Sequence, residues 1–69
     1  DVESIAAIVG ALIGKRNSLG ISQRELASLC GMPQSSVARI ESYKTTPNLD
    51  TLLKLMHPLG LTLTVSSTK

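Results

Sequence analysis

SQRELASLCGMPQSSVARIE, residues 22–41, describes two short helices joined by a glycine turn. Ser22 and Glu25 form an S-x-x-E capping box, in which hydroxyl and carboxylate each satisfy a free backbone N–H, so a helix begins at Gln23. Leu26, Ala27 and Cys30 recur at helical spacing and bury one side, and Gly31 suits the left-handed residue that ends a helix and redirects the chain. Pro33 supplies a fixed φ at the first position of the second helix, whose buried positions are Val37 and Ile40. Gln34, Ser35, Ser36 and Arg39 are left facing outward on a surface without acid.

This stretch resembles the helix-turn-helix of the Cro and phage-repressor family, the xenobiotic-response-element (XRE) family. The family's pattern is met at its fixed offsets by Ser22, Gln23, Leu26, Ala27, Gly31, Met32, Val37, Ala38, Ile40 and Glu41. The flanks agree: Lys15 to Ile21 is similar to the end of the family's first helix, and Lys44 to Pro47 to the loop before its fourth. The resemblance covers nearly the whole chain and implies an all-α, four-helix, lambda-repressor-like DNA-binding domain, with the helix Pro33 to Glu41 in the major groove. It implies a structural ion pair between Arg16, near the end of helix one, and Glu41, which closes the recognition helix. It further implies that Gln34 reads base edges, an amide being matched to adenine N6 and N7, and that Gln23 contacts phosphate with the helix N-terminus behind it.

Lys44 and the backbone N–H groups from Tyr43 to Thr45 are expected on the same DNA backbone. The base contact of Gln34 stands against a reading as a solvated polar face, and Ser35 and Ser36 are candidates for base or phosphate contact; Arg39, one turn beyond Ser35, suits guanine or phosphate, against a surface salt bridge. Two residues depart from the family. Pro33 stands where serine or threonine often caps the helix, and Tyr43 where glycine is frequent. A side chain at positive φ is costly, so either the loop geometry differs here or the tyrosine hydroxyl contributes a phosphate bond.

At 69 residues the chain is expected to be one domain, 1–69, and a chain so short buries only about 60% of its unfolded surface, so a partner is expected. The 42% hydrophobic content argues against disorder. The longest uncharged apolar run, Ile5 to Gly14, is roughly half a membrane span, so no membrane association is expected. One cysteine permits no internal disulfide, and neither a metal-ligand cluster nor a signal-peptide pattern is visible; the expected compartment is the cytoplasm, with no cofactor. The chain opens on Asp1 rather than methionine, which points to an upstream segment that is missing or removed. Cys30 reads as core and His57 as a helix-end surface residue, and no arrangement of Ser, Cys and His forms a catalytic triad, so no enzyme is expected. The net charge of +2 is modest, but Lys15, Arg24, Arg39 and Lys44 surround the motif while Glu25 is occupied as a cap. Tyr43 is the only aromatic residue, which disfavours single strands, where bases stack on aromatic platforms.

Helix one is expected from about Val2 to Ser18, with Ile5, Ile8, Val9, Leu12 and Arg16 inward. Ala6, Ala7, Ala11 and Ile13 make its other faces apolar too, through extra core packing or a protein-binding surface. Asn48 caps helix four, whose expected buried stripe is Leu49, Leu52, Leu53 and Met56, and Pro58 should stop or kink it near His57. From Leu61 the period changes to two, which predicts a β-strand over 61–66. No other segment can pair with it. Two copies are therefore expected to pair antiparallel through Leu61, Leu63 and Val65, giving a homodimer. That ending is similar to short antitoxin repressors of the HigA and HipB kind. The expected function is a sequence-specific double-stranded DNA-binding repressor on a palindromic operator, with an antitoxin that also holds a toxin protein as the setting that this ending suggests. The competing expectation is a protein-interaction module with DNA binding secondary or absent.

Overall fold

The computed structural model describes residues 4–65 and 67, and among them regular structure is entirely helical. Four α-helices, α1 (Ile5–Ser18), α2 (Gln23–Cys30), α3 (Gln34–Glu41) and α4 (Leu49–Met56), are followed by a 3₁₀ turn over His57–Leu59.

Local chemistry sets each boundary. The expected start of α1 at Val2 lies outside the described residues, but Ser4 is extended and its hydroxyl accepts from the Ala7 N–H at 3.2 Å, so the helix starts at Ile5. The capping box of α2 forms in both directions, Glu25 N–H to Ser22 Oγ at 3.0 Å and Ser22 N–H to Glu25 Oε1 at 2.8 Å. Pro33 is not the first residue of α3. It is the N-cap, with ψ 146° holding it in extended backbone, and it has no side chain to cap with. Asn48 Oδ1 accepts the Thr51 N–H at 2.8 Å and starts α4. Pro58 has the effect expected of it: the α-helix stops at Met56 and the chain tightens into the 3₁₀ turn.

The ends of α1, α2, α3 and the 3₁₀ turn share one device. Each is followed by a left-handed residue, and the next N–H reaches back five residues: Ile21 to Arg16, Met32 to Ala27, Lys44 to Arg39 and Leu61 to Met56, at 2.9–3.1 Å. Three of these left-handed residues are Gly20, Gly31 and Gly60; the fourth, after α3, is Tyr43 at φ 62°. A tyrosine there costs roughly 1–2 kcal/mol that glycine avoids. The loop thus keeps the geometry that a glycine would have.

The core is built from Val9, Leu12, Leu26, Ala27, Val37, Ile40, Leu52, Leu55, Met56 and Leu59, with Ile8, Ile13, Ile21, Cys30, Met32 and Leu61 packed against it. Two sequence expectations are corrected. In α4 the buried face is Leu52, Leu55 and Met56, while Leu49 and Leu53 are exposed, Leu53 on a surface shared with Leu29. A leucine-rich helix has more than one apolar face, and packing against α2 and the 3₁₀ turn selects one. In α1, Ile5 is exposed at the helix start while Ile13 joins the core.

Leu61–Val65 form no strand in this single chain, and Ser66, the last residue of the expected strand, lies outside the described residues. The physical reason is the one that predicted a dimer, namely that a lone extended segment has no neighbour to complete a ladder. Leu61 is half-buried against the core, whereas Leu63 and Val65 are exposed. Between this segment, α1 and Met56 runs an apolar groove of about 170 Å³ lined by Ile8, Ala11, Leu12, Leu61 and Leu63.

Leu26 sits at the centre of this core, 1% exposed. Leu26→Ala should cost about 2–5 kcal/mol, most of the stability of so small a domain, and leave the chain largely unfolded at 37 °C by circular dichroism.

Candidate nucleic-acid interface

The interface is assembled around one carboxylate. Glu41, in the last turn of α3, receives Arg16 of α1 in a bidentate pair, Nε to Oε2 at 2.7 Å and Nη2 to Oε1 at 2.8 Å. The remaining guanidinium arm donates from Nη1 to the Ile21 carbonyl at 2.8 Å, in the link between α1 and α2. Gln23, the first residue of α2, donates from Nε2 to Glu41 Oε1 at 2.9 Å. Arg16 and Glu41 side chains are only 11% and 9% exposed, so water screens this network little. The ion pair expected from the sequence is therefore present, and it locks α1, α2 and α3 together.

Gln23 is the surprise. Expected on phosphate, its amide is held by Glu41 and half-buried, leaving its carbonyl oxygen and one amide hydrogen for other partners. The sequence carried a signal for this link only in the joint presence of Gln23 and Glu41 at opposite ends of the motif. The distance between them is a tertiary fact.

The network presents the N-terminal end of α3 outward. Gln34 and Ser35 are exposed, and Pro33 gives the first N–H groups of α3 no side-chain cap. Ser36 is half-buried, and with Arg39 it turns toward a cleft of about 350 Å³ between α3 and the start of α4, walled by Thr45, Thr46, Pro47 and Thr51. Five of the expected contact residues therefore fall into two groups. Gln34 and Ser35 project from the helix start, while Ser36, Arg39 and Thr45 share the cleft. Thr46 and Thr51, absent from the sequence-based set, are brought into it by the Asn48 cap, which fixes how α4 begins.

Gln34, Ser35, Arg39, Lys44 and Thr45 make no side-chain hydrogen bond or ion pair among the described residues. Arg39 is thus not neutralised by a surface salt bridge. Its positive charge and that of Lys44 are available to an anion, and such exposed cations are what neutralises phosphates and releases their counterions.

Cys30 is a packing residue here. Its thiol donates to the Lys54 carbonyl at 3.2 Å, and burial pushes its pKa up, with Lys54 opposing, so it stays protonated and unreactive near neutral pH. Among the described residues no three His, Cys, Asp or Glu side chains could together hold a metal ion, and no helix is long and apolar enough to cross a membrane.

Residues 13–65 match the family model described as Helix-turn-helix. An uncharacterized HTH-type transcriptional regulator of Haemophilus influenzae is 51% identical over 59 residues, covering 86% of this chain and 60% of its own. The HTH-type transcriptional regulators PuuR of Escherichia coli and of Shigella flexneri are each 42% identical over 48 residues, covering 70% of this chain and 26% of theirs. The chain thus spans only part of the length of these relatives.

Glu41→Ala should leave the nearly buried Arg16 charge without its carboxylate and the half-buried Gln23 amide without its acceptor, and cost about 3 kcal/mol or more, read as a lower urea midpoint. Replacing both charges, with Arg16→Met and Glu41→Leu together, should cost less than Glu41→Ala alone, because no buried charge is then stranded.

Proposed function

The chain belongs to the XRE-type helix-turn-helix family, and from that premise we propose that it is a sequence-specific, double-stranded DNA-binding transcriptional repressor acting as a homodimer. The observation that carries this reading is the polar start of α3, Gln34 and Ser35, on the helix that the Arg16–Glu41–Gln23 network holds, with Arg39 and Lys44 beside it, all four side chains without a partner among the described residues. In the major groove, Gln34 is the base-reading residue and Ser35 its neighbour. Arg39, with Ser36 and Thr45 along the cleft, and Lys44 hold phosphates, and Gln23, oriented by Glu41, presents the positive end of α2 to the DNA backbone. Repression is then steric, with no cofactor and no catalysis: the protein occupies a palindromic operator in the cytoplasm and excludes the transcription machinery. Two recognition helices would meet half-sites about 34 Å, or roughly 10 base pairs, apart.

The dimer rests on the terminal segment. Leu63 and Val65 have no core to enter, and antiparallel pairing of 61–66 from two copies would satisfy their backbone and cover the groove beside Ile8 and Ala11. A second reading is favoured by the outer side of α1, where Ala6, Ala7 and Ala11 are exposed on a helix without charge before Lys15. That surface suits a protein partner, as in an antitoxin that binds a toxin while repressing its own operon.

Truncation before Leu61 should convert a dimer to a monomer in sedimentation; a dimer that survives points to α1 as the interface. Gln34→Ala should cost about 1–3 kcal/mol on the preferred duplex and much less on random duplex, with the salt dependence unchanged. Lys44→Ala should weaken both duplexes about equally and make the slope of log K against log salt shallower by about 0.9 for each phosphate that is no longer neutralised. If purified protein shows no preference for any selected duplex over random DNA at physiological salt, the repressor reading fails.

A further inference from the structure

The residue that closes the recognition helix is the one left-handed position among the described residues not occupied by glycine, Tyr43 at φ 62°. Its backbone bonds, Tyr43 N–H to the Ile40 carbonyl at 3.1 Å and Lys44 N–H to the Arg39 carbonyl at 2.9 Å, are ones a glycine would make equally, so nothing in them calls for a side chain. The ring is 55% exposed, and its hydroxyl has no hydrogen-bond partner among the described residues. Non-glycine residues held in this region cluster at ligand-binding positions.

The surroundings say what that contact is. Glu41, two residues earlier, bonds Gln23 at 2.9 Å and so joins the C-terminal end of α3 to the N-terminal end of α2. Tyr43 leaves the helix from this junction with Lys44 next to it, and the Lys44 N–H is tied back to Arg39 at 2.9 Å, so the loop direction is set by the helix. A phenol at this place is a neutral, directional donor beside a cation. That combination fits a phosphate oxygen, with Lys44 supplying charge and Tyr43 supplying direction.

Resting on the DNA-binding reading above, we propose that the Tyr43 hydroxyl donates a hydrogen bond to a phosphate oxygen of duplex DNA at the C-terminal end of α3, as a positioning contact that is indifferent to sequence. The side chain weakens the fold relative to glycine and strengthens the docked state.

Tyr43→Phe and Tyr43→Gly, compared with the unsubstituted chain, test this on a duplex that the latter selects from a randomised library and on a random-sequence duplex. Tyr43→Phe should melt as the parent does but bind both duplexes about tenfold more weakly per tyrosine replaced, with an unchanged salt slope, since no charge is removed. Tyr43→Gly should melt higher, by about 5 °C, yet bind as weakly as Tyr43→Phe. If Tyr43→Phe binds like the parent, or Tyr43→Gly binds more tightly than it, the tyrosine contact is overturned while the DNA-binding reading stands. A Tyr43→Gly variant that melts lower overturns the strain argument and the proposal with it. A parent chain that binds neither duplex overturns both readings.

Discussion

The bidentate pair between Arg16 and Glu41 is the constraint on which the rest of the arrangement depends. α3 has only eight residues, too few to be stable in isolation, and its orientation must come from outside. Hydrophobic packing of Val37 and Ile40 anchors one side of it but does not fix rotation about the contact, because apolar surfaces are non-directional. Four hydrogen bonds converging on Arg16 and Glu41 do fix it, since each demands a distance and an angle. Near-burial of both side chains makes the geometry binding. A displaced α3 would leave a desolvated charge without its partner.

A second constraint lies in how the helices end. α1, α2, α3 and the 3₁₀ turn after α4 terminate through the same reach-back hydrogen bond over a left-handed residue, so the chain reverses sharply each time and such short helices can pack closely. Three of these turns use glycine and incur no steric conflict. The one at the end of α3 uses tyrosine, and the protein tolerates there a left-handed side chain where glycine would make the same backbone bonds without strain. Local strain and outward-facing chemistry coincide at the same corner, beside the link between Gln23 and Glu41.

Apolar surface is left over. Leu29, Leu49 and Leu53 lie exposed on α2 and α4, and Leu63 and Val65 trail beyond the core beside the groove on α1. In so small a domain, where stability is a narrow difference between large terms, uncovered leucines and valines are a reason to associate. The charge-free stretch of α1 before Lys15 adds to this, because two positively charged copies approach most easily where neither carries charge.

Much of the fold was legible in the sequence because its signals are local. The capping box at Ser22 and Glu25, Gly31 after α2, Asn48 before α4 and the stop imposed by Pro58 each act within a few residues of themselves, and backbone chemistry at that range is independent of the tertiary context. The Arg16–Glu41 pair was legible by resemblance to a family, from two residues at matching offsets. What only the tertiary structure decided is whatever depends on two distant segments meeting. Gln23 bonds Glu41 instead of standing free because α2 begins where α3 ends. Leu55 rather than Leu53 is buried in α4 because α2 and the 3₁₀ turn lie on that side, a choice the periodicity of a leucine-rich helix leaves open. Ser36 turns into a cleft with Arg39 because α4 starts beside it. The alternation of Leu61, Leu63 and Val65 makes no strand within one chain, because a β-ladder belongs to a pair of segments and a single sequence specifies only one of them.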